Sequence, residues 1–196
     1  MNKPFFLVIE GVDGSGKSTT AIQLAERLGG VYVKSPSRQC QQLWGNFDQH
    51  SKSYLARFFF YTMSLCEAAQ DIRKYLAAGT SVVADRWETS TILYHEQLLG
   101  MDLSTSLKGL NLPRPDFIFI LQPSLEVIFE RINKREGGHD VLLEQDRNFM
   151  SIMYAKYSAF KGATHIDPGG QSVNDVVHGL IETYLNPALI AEVEYA

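Results

Sequence analysis

The sequence predicts an α/β fold, a three-layer α/β/α arrangement around a mostly five-stranded parallel sheet, with a short lid at about 131–147. Short apolar runs alternate along the chain with longer stretches of helical periodicity. The runs are uninterrupted, as strands buried on both faces require, and a sheet covered by helices on both sides buries them so. The length of 196 residues, with 45% hydrophobic and 20% charged, suits one compact domain, expected to span 1–196.

The elements follow in order. Phe5 to Ile9 is a buried strand ending at Glu10-Gly11. Lys17 to Leu28 carries Ile22, Leu24, Ala25 and Leu28 near a helical period, and Gly29-Gly30 stops it. Val31 to Val33 is a second strand, and Pro36 marks the loop after it. Tyr54 to Ala78 reads as a long helix with Leu55, Phe58, Phe59, Cys66, Ala69, Ile72 and Leu76 near one stripe, closed by Gly79. Val82 to Ala84 is a strand ending at Asp85, and Phe117 to Leu121 is a fourth. Ser124 is an N-cap for a helix through Arg135, with Glu126 in its first turn. His165-Ile166 forms a short fifth strand, and Val173 to Leu185 the closing helix.

Bulk properties exclude several partners. A net charge of -4 gives no footprint for a nucleic-acid polymer or an anionic membrane. No apolar run approaches the ~20 residues that span a bilayer, and Phe5 to Ile9 is too short for a signal segment. Cys40 and Cys66 form neither a metal spacing nor a disulfide framework, so a reducing, cytoplasmic setting is expected. The histidines 50, 95, 139, 165 and 178 lack ligand spacing.

One segment carries strong chemistry. Gly11-Val12-Asp13-Gly14-Ser15-Gly16-Lys17-Ser18 fits G-x-x-x-x-G-K-[ST] at every fixed position, between a predicted strand and a predicted helix. Glycines let the backbone turn its N–H groups inward onto phosphate oxygens, and the helix adds its positive end. Lys17 supplies a mobile charge to the β- and γ-phosphates of ATP, and Ser18 a hydroxyl to Mg²⁺. A chance glycine-rich turn is the competing reading, and the strand–loop–helix context opposes it.

Other strand ends describe the acceptor. Lys34 and Arg38 follow the second strand, with no carboxylate from Val31 to Phe47. A hydroxyl acceptor wants a general base, whereas an acceptor phosphate wants cations, so this pair favours a phosphate. The bland alternative is two solvated surface cations. Asp85 at the end of the third strand is placed for Mg²⁺, and Arg86 beside it for clamping phosphate oxygens; a strand-closing ion pair is the alternative. Trp87 reads as packing. Arg131, Lys134, Arg135 and His139 around Gly137-Gly138 suit a lid over the transferring phosphate, or a helix end favoured by its dipole.

Taken together these segments resemble the thymidylate kinase family, whose members have the P-loop kinase fold. Phe6 to Thr19 is similar to its opening strand and loop, including Asp13, and Asp85-Arg86-Trp87 with Ser90 and Tyr94 to its aspartate–arginine–aromatic motif. Arg114-Pro115-Asp116 and the strand to Leu121, Val127 to Arg135, Glu144 to Tyr157, and Ile166-Asp167 with Ser172 to Ile181 resemble the remaining segments in order. The resemblance implies an ATP:nucleoside-monophosphate phosphotransferase, most simply dTMP kinase, using Mg²⁺ and acting as a homodimer. It implies that residues 11–19, through Thr19, hold ATP and that Asp13 reaches the sugar 3′-hydroxyl. Arg38 and Arg86 would hold the acceptor phosphate, Phe60 or Tyr61 would stack on the base, and Ser90 would line the site. Tyr94 would pack under the sugar, and Arg131 and Arg135 would serve as lid cations.

Two departures bear on specificity. The loop after the second strand is Lys34-Ser35-Pro36-Ser37-Arg38 instead of arginine–glutamate–proline–glycine. The family's base-reading arginine on the long helix is replaced by Ser64 and Leu65, and a glutamine after the serine-motif aromatic is replaced by His95. Kinases of another or modified deoxynucleotide, a deoxynucleoside kinase and a non-catalytic nucleotide binder are the alternatives.

Overall fold

The computed structural model describes residues 3–37, 40, 42–43, 47, 51–134, 143 and 146–186. Five strands run in order β1 (Phe6–Glu10), β2 (Val31–Lys34), β3 (Val82–Asp85), β4 (Phe117–Leu121) and β5 (Thr164–Ile166). All neighbours are parallel, in the spatial order β2-β3-β1-β4-β5. The expected α/β fold and five-stranded parallel sheet are therefore present.

Successive strand residues point to opposite faces, and the core divides accordingly. Phe5, Leu7 and Ile9, with Val83, Phe119 and Leu121, pack against α1 (Lys17–Arg27) and α6 (Val173–Leu180). Phe6 and Val8, with Val82 and Ala84, pack against α2 (Tyr54–Ala77). Ser53 caps α2 by accepting from Ala56 N at 3.2 Å, and Ser124 caps α4 (Leu125–Asn133) by accepting from Val127 N at 3.4 Å. The closing helix is α-helical to Leu180 and continues as a π-helical turn over Ile181–Leu185.

Two helices lie outside the elements assigned from the sequence. One is α3 (Glu88–Leu99), whose buried positions are Thr89, Ser90, Thr91 and His95. Polar residues face its interior, so no apolar stripe marks it. The other is α5 (Arg147–Ala159), which buries Phe149, Met150, Met153 and Tyr157 at helical spacing behind Asp146, an N-cap accepting from Asn148 and Phe149 N. Its signal was legible.

The stripe expected on α2 needs correction. Phe58, Leu65, Ala68, Ala69 and Ile72 face the sheet, but Leu55 and Phe59 are 46% and 61% exposed. Trp87 is buried edge-on against Phe6, ring centroids 5.5 Å apart, in the packing role the sequence suggested.

Candidate active site

The loop between β1 and α1 lies at the carboxyl end of the central strand, where open parallel sheets bind ligands. Gly14 has φ 82°, and a Cβ there would sit 2.8 Å from the Ile128 carbonyl of α4, so the loop and that helix touch only because the residue is glycine. Gly16 forms the α1 N-cap at φ 95° without a side-chain cap, leaving the helix's first N–H groups for an anion. The Ser15 hydroxyl is buried without a partner among the described residues. Lys17 Nζ bridges the loop, donating to Val12 O at 3.2 Å and to Asp13 Oδ1 at 2.9 Å. Burial and the nearby Arg86 pull the Lys17 ammonium below its ordinary value, while Asp13 and Asp85 oppose them. Thr19 is on the exposed side of α1.

Parallel pairing sets Asp85 level with Ile9 on one side and Lys34 on the other. The carboxylate is buried; Oδ2 accepts from Ser18 Oγ at 2.5 Å and from Tyr32 OH at 3.1 Å. Its Oδ1 is buried and has no partner among the described residues, an oxygen left over for a hard cation. No group of three or more His, Cys, Asp or Glu with metal-holding geometry occurs among the described residues. Such a cation would therefore depend on phosphate and water oxygens beyond Ser18 and Asp85, which is the habit of Mg²⁺. Tyr32 was missed in the sequence because β2 reads as an ordinary strand; its position beside Asp85 comes from the pairing of β2 with β3.

Arg86 lies between β3 and α3 with φ 71°, a left-handed conformation rare for a long side chain. Its Nη2 donates to Asp13 Oδ1 at 2.5 Å and its Nη1 to Ser90 Oγ at 3.1 Å. The guanidinium carbon lies 5.2 Å from the Tyr94 ring centroid, and Tyr94 OH donates to Asp13 Oδ2 at 3.3 Å. Burial alone would raise the Asp13 carboxyl, but Arg86 and Lys17 hold it far below the ordinary carboxylate range. Behind Arg86, Glu10 is 0% exposed and accepts from Trp87 N, Ser90 N, Ser90 Oγ and Tyr157 OH. Burial pushes its carboxyl up, with Ser90 and Arg86 pulling the other way.

Arg131, on α4, reaches the loop: its Nη1 donates to the Gly14 and Ser15 carbonyls, both at 3.3 Å. Arg38 and Arg135, also singled out by the sequence, lie outside the described residues, as do His139 and Gly137-Gly138. Lys34 is exposed at the end of β2. Phe60 is stacked on Phe47, centroids 5.0 Å apart and planes at 14°, so that face of the ring already has an aromatic partner. Tyr61 lies 5.3 Å from the His95 ring.

The thymidylate kinase family model matches residues 9–180. The chain belongs to the thymidylate kinase family. It is 30% identical to the thymidylate kinase of Leptospira interrogans, with 93% of this chain and 95% of that protein covered. It is 24% identical to a deoxyguanosine kinase of Bacillus subtilis, covering 86% and 84%. Among solved structures it is similar to the thymidylate kinase of Candida albicans, described as having broad substrate specificity, with a TM-score of 0.78, 25% identity and 95% and 94% of the two chains covered.

Within this thymidylate kinase fold the departures acquire a geometry. Ser64 is fully buried and its hydroxyl accepts from Ser37 N at 2.6 Å, so it anchors the loop after β2. His95, 3% exposed, has Nδ1 at 2.7 Å from Thr91 O. A carbonyl only accepts, so Nδ1 carries the proton. Burial, with Arg57 nearby, pushes His95 down to about 4, so the ring is neutral at pH 7 and Nε2 is an acceptor. Phe58 and Tyr61 flank the ring at 5.5 and 5.3 Å.

Proposed function

We propose that this member of the thymidylate kinase family transfers the γ-phosphate of ATP to dTMP, giving dTDP and ADP. One observation carries the reading: a single carboxylate, Asp13, is gripped by Lys17 at 2.9 Å and by Arg86 at 2.5 Å. Lys17 belongs to the donor loop and Arg86 is the clamp for an acceptor phosphate. Two anionic groups that must meet in line are thereby drawn to one point, and Asp13 keeps the two cations from repelling each other before substrate arrives. An acceptor that is already a phosphate needs no strong base.

In this mechanism the loop N–H groups and Lys17 hold the β- and γ-phosphates, and Arg131 screens developing charge from the lid side. Arg86, with Arg38, orients the acceptor phosphate, Ser90 lines the site, and Tyr94 packs beneath the sugar with Asp13 receiving its 3′-hydroxyl. Ser18 and Asp85 would hold Mg²⁺, which neutralises charge on the donor phosphates when bound. The lid of 131–147, with Arg135, excludes water. Phe60 or Tyr61 supplies the stacking surface for the base. The neutral acceptor of His95 suits a ring N–H, which thymine and uracil carry at N3 and cytosine lacks.

The test is a coupled ATP-consumption assay with Mg²⁺ against dTMP, dUMP, dCMP, dGMP, dAMP and the ribonucleotides. We expect turnover of dTMP, weaker turnover of dUMP and at least about 10-fold less with dCMP, the scale on which an unpaired polar edge is penalised. Activity on a different nucleotide alone would move the assignment within the family, and silence across the panel would sink it. A second reading, phosphorylation of another deoxynucleotide, is favoured by Ser64 and Leu65 in place of the base-reading arginine, and a deoxynucleoside acceptor by the deoxyguanosine kinase among the relatives.

The exposed stripe Leu55, Phe59 and Met63 (46%, 61% and 44% exposed) repeats every four residues along α2. We propose that it packs against a second copy of the chain. Phe59→Glu is then expected to halve the mass measured by light scattering at micromolar concentration; an unchanged mass, or a monomeric parent, refutes the dimer. Both described cysteines are free thiols, which fits the proposed reducing cytoplasm.

A further inference from the structure

We infer that Glu10 is a positioning residue for the acceptor clamp: it sets the aim of the Arg86 guanidinium through the Ser90 hydroxyl and the first turn of α3, with Tyr157 of α5 as a second anchor. The inference rests on the reading of Arg86 as the group that holds the acceptor phosphate.

Glu10 ends an otherwise apolar strand and is 0% exposed. A carboxylate so placed persists only if its lone pairs are filled. Oε1 accepts from Trp87 N at 2.9 Å and Ser90 N at 3.2 Å, so it caps the start of α3 from outside that helix. Oε2 accepts from Ser90 Oγ and, at 3.3 Å, from Tyr157 OH. None of these partners is a lysine or an arginine; the Arg86 charge acts on Glu10 across the Ser90 hydroxyl that lies between them.

The geometry concerns Arg86. Its backbone N donates to Ile9 O at 3.0 Å, and the next N–H, of Trp87, donates to Glu10. The last two residues of β1 thus hold the backbone on either side of a left-handed arginine, a conformation that persists only where its surroundings over-determine it. The side chain is held by the same device. Ser90 has one hydroxyl proton, and Glu10 takes it. The Ser90 lone pairs then accept from Arg86 Nη1 at 3.1 Å and from Tyr157 OH at 2.7 Å, the single Tyr157 proton being shared between Ser90 and the longer 3.3 Å contact to Glu10 Oε2. An amide at position 10 would present N–H to Ser90, or leave its proton free to turn toward the guanidinium, and either change loosens the aim.

The test uses the full chain with Glu10→Gln, Ser90→Ala and their combination. Steady-state constants for ATP and for dTMP, ATP affinity by equilibrium titration, and Tm are measured for each. We expect Glu10→Gln to lower kcat/KM for dTMP by about 10- to 100-fold, the scale for misplacing a reacting group by a fraction of an ångström to an ångström. ATP affinity should stay within twofold of the parent. The double variant should be no worse than the poorer single, because both break one relay. A folded Glu10→Gln with dTMP kcat/KM within twofold of the parent overturns the inference, as does loss of ATP affinity in parallel with dTMP, or losses that multiply in the double variant. If Glu10→Gln does not fold, Ser90→Ala decides: activity within twofold of the parent overturns the relay. A parent silent on every nucleotide brings down the functional reading itself and this inference with it, whereas an active parent with unaffected variants refutes this inference alone.

Discussion

Replacing Lys17 with alanine is expected to lower kcat by about 10³-fold, the scale for deleting one preorganised group that stabilises transition-state charge. The ammonium is buried, and burial has already weakened its hold on the proton, with Arg86 adding to that effect. It is desolvated in advance, so it meets an incoming γ-phosphate at full strength. The fold should survive, because Asp13 keeps its pair with Arg86 and its hydrogen bond from Tyr94. Circular dichroism and Tm confirm folding, and single-turnover kinetics read the chemical step. A folded variant within 10-fold of the parent kcat would show that the loop acts through its backbone and Arg131 alone.

Arg86→Lys is expected to lower kcat/KM for dTMP by at least about 10²-fold, with the effect concentrated on the acceptor. The arginine uses its fork on two partners at once, Asp13 through Nη2 and Ser90 through Nη1, and places its guanidinium carbon over the Tyr94 ring. A lysine ammonium reaches one of these and stacks on none. It also inherits φ 71°, still held by the backbone bonds to Ile9 and Glu10 but without the guanidinium fork. Asp13 titrates as part of the same cluster. Its carboxyl is depressed in the folded chain, so the stability it contributes is present above its unfolded value near 3.9 and is lost as pH falls through the strongly acidic folded value. Loss of Arg86 removes the stronger of the two cations holding it down, so the acid limb of stability should move to higher pH. Near-parental kcat/KM for Arg86→Lys would show that charge alone suffices.

The two variants also separate two kinds of legibility. Lys17, Ser18 and the glycines 11, 14 and 16 act within one eight-residue loop, so their chemistry is written in consecutive letters and local backbone rules suffice to read it. Asp85 and Arg86 were legible as the first polar residues after an apolar run. Glu10 was read only as the end of a strand, since nothing local distinguishes a structural carboxylate from a functional one. Tyr32 sat unnoticed inside β2, and α3 was not recognised at all, because a helix that turns Ser90, Thr91 and His95 inward breaks the apolar period. The exposure of Leu55 and Phe59 went unread for a related reason: an apolar stripe states that something covers it, and cannot say whether the cover is the sheet or another molecule.

The sequence by itself determined the layered α/β class and the phosphate loop, since each depends on residues near one another in the chain. Only the tertiary structure decided which side chains meet. Asp85 joins Ser18 across 67 residues, Arg86 joins Asp13 across 73, and Tyr157 joins Glu10 across 147. The register that aligns Ile9 with Asp85, and the packing of α3 and α5 beyond it, bring these groups together. That register is set by the two-faced burial of whole strands, a cooperative property no single segment carries.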